Sequence, residues 1–244
     1  MHLYGLLGYP LTHSFSQRYF TEKFKEMRLT ESHAYQNFAI PSIEQFPQLL
    51  NEHPFLKGFN VTIPYKKQII PFLGEMNDAV REMGACNCVQ IKDGKLFGYN
   101  TDIIGFEQSL QPFLRPSHSH ALILGTGGAA AAVAYVLRKI KIPYLFVSRK
   151  EADKTIQYNQ VDAAVLKKHT LIINTSPVGQ YPDIAASPDI PYESLGPDHH
   201  LFDLIYNPET TRFMELGLQQ GATVQNGYKM LVLQAEESWR IWNS

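Results

Sequence analysis

The residues that suggest chemistry lie mostly in the first half of the chain. Ser14 and Ser16 flank Phe15 just after the first apolar segment, and their hydroxyls can hydrogen-bond a polyhydroxylated or carboxylated ligand from one loop. The stretch GFNVTIPYK, 58–66, sets the Thr62 hydroxyl and the Lys66 ammonium one helical turn apart. Asn87 stands between Cys86 and Cys88, and a buried asparagine amide needs several hydrogen-bond partners. Asn100-Thr101-Asp102 adds a carboxylate just ahead of a helical pattern. Each has a structural reading as well. Ser16 can be a helix N-cap. Thr62 can cap a helix opened by Pro64, with Lys66 and Lys67 solvated, and any of Asn100, Thr101 and Asp102 can cap the helix that follows.

The second half is organised around ALILGTGGAAAAVAYVL, 121–137. A short apolar strand runs into Gly125-Thr126-Gly127-Gly128 and then into an alanine-rich helix, the opening of a dinucleotide-binding βαβ unit. Gly125 permits the turn, Gly127 lets the backbone approach a pyrophosphate, and the helix N-terminus offers N–H groups to that anion. Ala129 and Ala130 keep the helix close to its strand. Such turns also occur for packing alone. In an NAD-binding unit an acidic residue usually ends the second strand; here the strand ends in Ser148-Arg149-Lys150. Two cations there suit the 2′-phosphate of NADP, with Arg149 able to pair with it in a bidentate or stacked way.

Elements must position these groups. Strands are expected over 3–8, 35–40 and 56–63, and a helix is expected to carry Tyr19, Phe20, Phe24 and Met27 on one face. A second helix is expected over Ile43, Phe46, Leu49 and Leu50, capped by Ser42, and a third beyond Pro64. Asp93-Gly94 between apolar runs predicts a hairpin, which makes one edge of the first sheet antiparallel. A helix over 101–110 precedes a polar break at 115–120. After the glycine turn come strands over 144–148, 171–174 and 201–205, a helix over 212–220, an edge strand over 222–225 and an amphipathic helix over 227–242. Residues 163–165 form only a small apolar step. The alternation predicts an α/β protein with parallel sheets.

Composition excludes several classes. The chain has 244 residues, 44% hydrophobic and 18% charged, with a net charge of −1, so nothing points to nucleic acid or an anionic membrane surface. The start lacks a basic leader and reads as a strand rather than a signal peptide, and no apolar run is long enough to span a bilayer. Cys86 and Cys88 are expected on opposite faces, so neither a disulfide nor a metal site is expected. A cytoplasmic setting follows.

Taken together and in order, these segments resemble the shikimate dehydrogenases of the aromatic amino-acid pathway over nearly the whole chain. The motifs are HSFS, GFNVTIPYK, GACNCV, GYNTDIIGF, LGTGGAA, SRK, INTSPVG, FDLIYNP and NGYKMLVLQAEESW. The resemblance implies two α/β domains: a mostly parallel substrate domain, 1–110 plus the helix at 227–244, and a Rossmann NADP-binding domain, 119–226. It implies Lys66 and Asp102 as the catalytic pair. It places shikimate on Ser14, Ser16, Thr62, Asn87, Asp102, Tyr206 and Gln234. It places NADP on Gly125, Thr126, Gly127, Gly128, Ala129, Ser148, Arg149, Lys150, Leu204 and Gly227, with Asp78 on the cofactor side. The implied reaction is reversible NADPH-dependent reduction of 3-dehydroshikimate, by a monomer or homodimer. The alternatives are a quinate dehydrogenase using NAD and a non-catalytic shikimate-binding relative. The chain departs from the family at Phe15 and Gln17, where lysine and proline are usual, and at Ser148-Arg149-Lys150, where Asn-Arg-Thr is frequent. Relatives commonly continue into one more C-terminal segment beyond the helix bearing Gln234.

Overall fold

The computed structural model describes residues 1–11, 15–149 and 154–244. Ser14 and Lys150 lie outside the described residues. Contacts divide the chain into two compact units, Met1–Thr101 with Gln234–Ser244, and Asp102–Leu233.

The first unit contains β1 (His2–Gly8), α1 (Phe15–Glu26), β2 (His33–Ala39), α2 (Phe46–Glu52), β3 (Leu56–Val61), β4 (Glu75–Met76), α3 (Asp78–Met83), β5 (Cys88–Lys92) and β6 (Lys95–Tyr99). Its sheet has the order β2-β1-β3-β5-β6-β4. β1 pairs in parallel with both β2 and β3. The hairpin forms at Asp93-Gly94, where both residues adopt positive φ, 51° and 74°. Its strand β5 is antiparallel to β3 as well as to β6, so the antiparallel pairing lies inside the sheet. The edge strand beyond it, β4, pairs in parallel with β6; the expected antiparallel edge is corrected accordingly.

Each face of this sheet carries its own core. One gathers Leu7, Phe46, Phe59, Ile69 and Cys86; the other gathers Tyr4, Phe20, Phe24, Tyr35, Cys88 and Trp242. The two cysteines therefore do face opposite ways. Strand alternation is not the reason, because residues two apart on a strand share a face. Cys86 precedes β5, and its amide donates to the Lys66 carbonyl at 2.8 Å. Burial pushes the Cys86 thiol up to about 12 and raises Cys88 further, so neither is a ready nucleophile.

Three local expectations are corrected. No α-helix follows Pro64: residues 64–69 are turns, because the Lys66 carbonyl that a helix would use for residue 70 is taken by Cys86. Ser42 precedes a short 3-10 turn but makes no capping bond; its hydroxyl bonds Glu44 instead. Met27 lies past the end of α1 and is exposed.

The second unit contains α4 (Asp102–Leu110), β7 (Ala121–Leu124), α5 (Gly128–Lys139), β8 (Tyr144–Val147), β9 (Thr155–Ile156), α6 (Ala163–Lys168), β10 (Leu171–Asn174), β11 (His200–Asp203), α7 (Arg212–Gln219) and β12 (Thr223–Gln225). The helix α8 (Tyr228–Trp242) begins here, and from Gln234 onward its residues belong to the first unit. The sheet order is β12-β11-β10-β7-β8-β9 with every pair parallel. Counted from β7, that is the 3-2-1-4-5-6 order of the doubly wound dinucleotide fold. The apolar step at 163–165 is the start of α6, capped by Asp162, whose carboxylate accepts from the Val165 amide at 2.9 Å. The helix α4, expected with the substrate domain, groups with the second unit. Glu107 pairs with Lys139 at 2.7 Å, Phe106 stacks on Phe202, and Gln225 donates to the Ser109 carbonyl at 3.0 Å. Among the described residues no helix is long and apolar enough to cross a membrane.

Candidate active site

In the second unit the strand order reverses between β7 and β10, the place where doubly wound sheets bind ligands. The glycine turn sits there. Gly125 has φ +107°, a left-handed conformation that disfavours any side chain, and its amide donates to the Val147 carbonyl at 2.9 Å. A Cβ on Gly125 would also press on Thr175 Oγ1 at 3.0 Å and the Ser176 amide at 3.3 Å. Gly127 and Gly128 are exposed, and a Cβ on either would meet nothing within 4 Å, so the approach to this backbone is open. Thr126 is exposed, Ala129 half-buried and Ala130 buried, which lets α5 lie against β7. The first amides of this twelve-residue helix point away from their own carbonyl ladder. Together these features fit an anionic pyrophosphate.

The rest of this edge follows from adjacent strand ends. The Ser148 amide donates to the Ile156 carbonyl at 3.0 Å, and Ser148 is half-buried. Arg149 is exposed and close enough to Tyr158 to favour its phenolate, although burial dominates and raises that pKa. Leu204 follows β11 and donates to the Asn174 carbonyl at 3.0 Å. Gly227 packs directly on that strand end. Its amide donates to the Ile205 carbonyl at 2.9 Å, and a Cβ would overlap the backbone of Leu204. A glycine is required here for close approach of two main chains. Gly227→Ala is accordingly expected to destabilise the second unit by about 2 kcal/mol or more, read as a lower urea midpoint; an unchanged midpoint would remove this account of the glycine. Tyr206 is half-buried just beyond. Sequence reasoning named INTSPVG without singling out its residues, yet Thr175 and Ser176 floor the glycine turn. Thr175 Oγ1 donates to the Leu124 carbonyl at 2.9 Å, and Ser176 Oγ to Asn174 Oδ1 at 2.7 Å.

In the first unit the buried polar side chains converge. Asn87 Oδ1 accepts from the Thr101 amide at 2.6 Å, and its Nδ2 donates to Thr101 Oγ1 at 3.1 Å. Thr101 Oγ1 lies 3.4 Å from Gln234 Oε1 on α8. Asn87 and Gln234 are thus brought together around Thr101, all three buried. Ser16 is half-buried in α1, and its hydroxyl meets that of Tyr35; Tyr35 is held protonated because burial raises its pKa well above the ordinary value. Ser16 is not reduced to a helix cap. Thr62 and Lys66 are half-buried in the turns after β3; the Thr62 amide donates to the Leu7 carbonyl at 2.9 Å. Asp102 opens α4 and is half-buried.

Asp78 behaves differently. It is the first residue of α3, exposed, and its carboxylate pairs with Arg81 at 2.8 Å. Phe15 stacks on Tyr19 at 5.5 Å between ring centroids, and Gln17 accepts from Asn37 Nδ2 at 2.8 Å. The two departures from the family pattern in the first unit both lie on α1, and Gln17 bonds across to β2. Sequence reasoning missed Asn60 and Ser238, both buried and bonded to each other. Both lay inside quoted motifs, GFNVTIPYK and NGYKMLVLQAEESW, without being singled out there. Among the described residues no group of three or more potential metal ligands is found.

A doubly wound parallel sheet with an open glycine turn at its switch point, joined in one chain to an α/β unit with convergent buried amides, is an architecture suited to the class of dinucleotide-dependent oxidoreductases. Comparisons narrow this class. Residues 6–89 match the shikimate dehydrogenase substrate binding domain. The NADP(+) shikimate dehydrogenase of Clostridium beijerinckii is 36% identical over 99% of this chain and 92% of its own. A chorismate mutase/shikimate 5-dehydrogenase fusion protein from Clostridium acetobutylicum superposes with TM-score 0.89 at 32% identity, covering 100% of this chain and 91% of that one. Shikimate 5-dehydrogenase from Thermus thermophilus, solved with NADP(H) and shikimate, gives TM-score 0.86 at 30% identity, covering 99% and 93%. The chain belongs to the shikimate dehydrogenase family of NADP-dependent oxidoreductases.

Proposed function

We propose that this protein is a shikimate dehydrogenase that interconverts 3-dehydroshikimate and shikimate with NADP(H). The observation that carries the substrate half is the convergence of Asn87 and Gln234 on Thr101, which offers buried hydrogen-bonding groups to a small polyhydroxylated ligand. Ser14, Ser16, Thr62, Tyr206 and Asp102 complete the substrate contacts in this reading. Lys66 exchanges the proton at the substrate oxygen, as acid in reduction and base in oxidation. Asp102 orients the Lys66 ammonium and the substrate hydroxyl.

The cofactor half rests on the open glycine turn and on Arg149. Gly125 to Ala129 would hold the pyrophosphate, and Ser148, Arg149 and Lys150 the 2′-phosphate. Leu204, Gly227 and Asp78 would lie along the same ligand. When bound, the dinucleotide supplies or accepts the hydride. The buried thiols and near-neutral charge support a cytoplasmic enzyme.

The direct test follows NADPH absorbance with 3-dehydroshikimate; no loss of absorbance would sink the reading. Quinate and NAD run in parallel separate it from a quinate dehydrogenase, and shikimate binding without turnover would indicate a non-catalytic relative. Arg149→Ala is expected to raise KM for NADPH far more than KM for NADH. Equal effects would undo the phosphate assignment.

A further inference from the structure

Behind the proposed substrate contacts, the first unit holds a continuous line of buried polar groups. The Tyr35 hydroxyl donates to Asn60 Oδ1 at 2.9 Å. Asn60 Nδ2 donates to Ser238 Oγ at 2.8 Å and to the Asn87 carbonyl at 3.3 Å. The Ser238 hydroxyl donates to the Gln234 carbonyl one turn back at 2.9 Å, and its oxygen stands 3.3 Å from Thr101 Oγ1. Ser238 has 0% exposure, so no ligand touches it.

The direction of these bonds follows from the groups that have no choice. A carbonyl only accepts, so the Asn87 carbonyl fixes Nδ2 as the end of Asn60 facing it and leaves Oδ1 for Tyr35. An amide N–H only donates, so Asn87 turns Oδ1 toward Thr101 N and Nδ2 toward Thr101 Oγ1. Thr101 Oγ1, accepting there, keeps its own hydrogen to give. Ser238 has spent its single hydrogen on Gln234 O, so its lone pairs accept from Asn60 and from Thr101. The hydroxyl of Ser238 is where the Tyr35–Asn60 line meets the Asn87–Thr101 line.

We propose that Ser238 is a positioning residue of the substrate site: as an acceptor between Asn60 and Thr101, it holds Thr101 in the sense that directs one Asn87 amide hydrogen to Thr101 Oγ1 and presents the other to substrate. The inference rests on the substrate reading given above. Without the Ser238 oxygen, the Thr101 hydrogen is left to Gln234 Oε1 at 3.4 Å and Asn87 Oδ1 at 3.3 Å, and at Asn87 it competes with the Thr101 amide. The Asn87 amide then loses its single orientation.

The experiment compares the full-length parent with Ser238→Ala and with Ser238→Cys, which keeps a weak sulfur acceptor. Shikimate Kd is measured by calorimetry, and kcat and both KM values by NADP reduction. Ser238→Ala is expected to raise Kd and KM for shikimate roughly tenfold, the scale of a misdirected hydrogen bond, with kcat and KM for NADP within about twofold. Ser238→Cys is expected to fall between parent and alanine variant. A lower kcat with unchanged shikimate Kd marks a merely structural role and overturns the proposal, as does a Kd unchanged in both variants. If the alanine variant does not fold, Ser238→Cys and Tyr35→Phe decide, and unchanged Kd in those two overturns it equally. A parent that binds no shikimate defeats the substrate reading itself, and this proposal with it.

Discussion

Lys66→Ala is expected to lower kcat by roughly 10²-fold or more while KM for shikimate changes little, the loss associated with removing a general acid–base group. The frame around Lys66 makes that result interpretable. The buried Tyr65 beside it donates its hydroxyl to the Ile40 carbonyl at 2.6 Å. The Lys66 carbonyl accepts from the Cys86 amide at 2.8 Å, and Ile69 is fully buried three residues on. These anchors use main chain and neighbours, so truncating the half-buried lysine leaves the turn in place. A loss of kcat then reports chemistry rather than unfolding. Steady-state kinetics with a thermal midpoint as control checks it, and a near-normal kcat would take Lys66 out of the reaction.

His200→Phe is expected to flatten the acid limb of stability. His200 opens β11 with no exposure, its ring stacked on Phe113 at 4.9 Å and its Nδ1 2.9 Å from Thr223 Oγ1. Burial first, then the nearby His118 and Arg115, lower its pKa from 6.5 to about 4, against a hydrogen bond to Gln225. The folded form therefore resists protonation. Its contribution is complete above pH 6.5 and is lost as pH falls toward 4, about 3 kcal/mol in all. His118 and His169, also depressed chiefly by burial, act in the same direction. Asp203 acts in the opposite one. Burial raises its pKa from 3.8 to about 6 despite bonds from Thr211, Ile205 and Asn174, so its stabilisation is present at low pH and lost as pH rises through 6. Subtracting the two urea-unfolding curves cancels Asp203 and the other histidines. The difference between parent and variant should narrow by about 3 kcal/mol between pH 6.5 and 4. A difference independent of pH would show that His200 titrates normally.

What could be read from sequence was what short-range pattern specifies. The apolar run, glycine turn and alanine-rich helix of 121–137 became β7, the Gly125 turn and α5, because strand, turn and helix there are each set by adjacent residues. The Asp93-Gly94 hairpin formed for the same reason. The two-residue strand β9 was too short for any periodicity to register, and α6 went unrecognised because its start is short and its signal is the Asp162 cap.

Tertiary contacts decided the rest. Lys66 lies in a turn rather than a helix because a carbonyl bond to Cys86, twenty residues on, displaces the local one. The antiparallel strand β5 lies inside its sheet because it pairs with β3 as well as with its hairpin partner. Asn87 and Gln234 had been tied to substrate only by resemblance, and their meeting at Thr101 depends on the chain returning through α8. Ser238 lay within the quoted motif NGYKMLVLQAEESW but was not singled out, since serine in a helix is neutral to pattern and its partner Asn60 is 178 residues away. Residue types and short spacings determined which groups can do chemistry and which turn can hold an anion. Which carbonyl, amide or hydroxyl each group faces was left to the fold, because a hydrogen bond acts only over about 3 Å and chain separation says nothing about that distance.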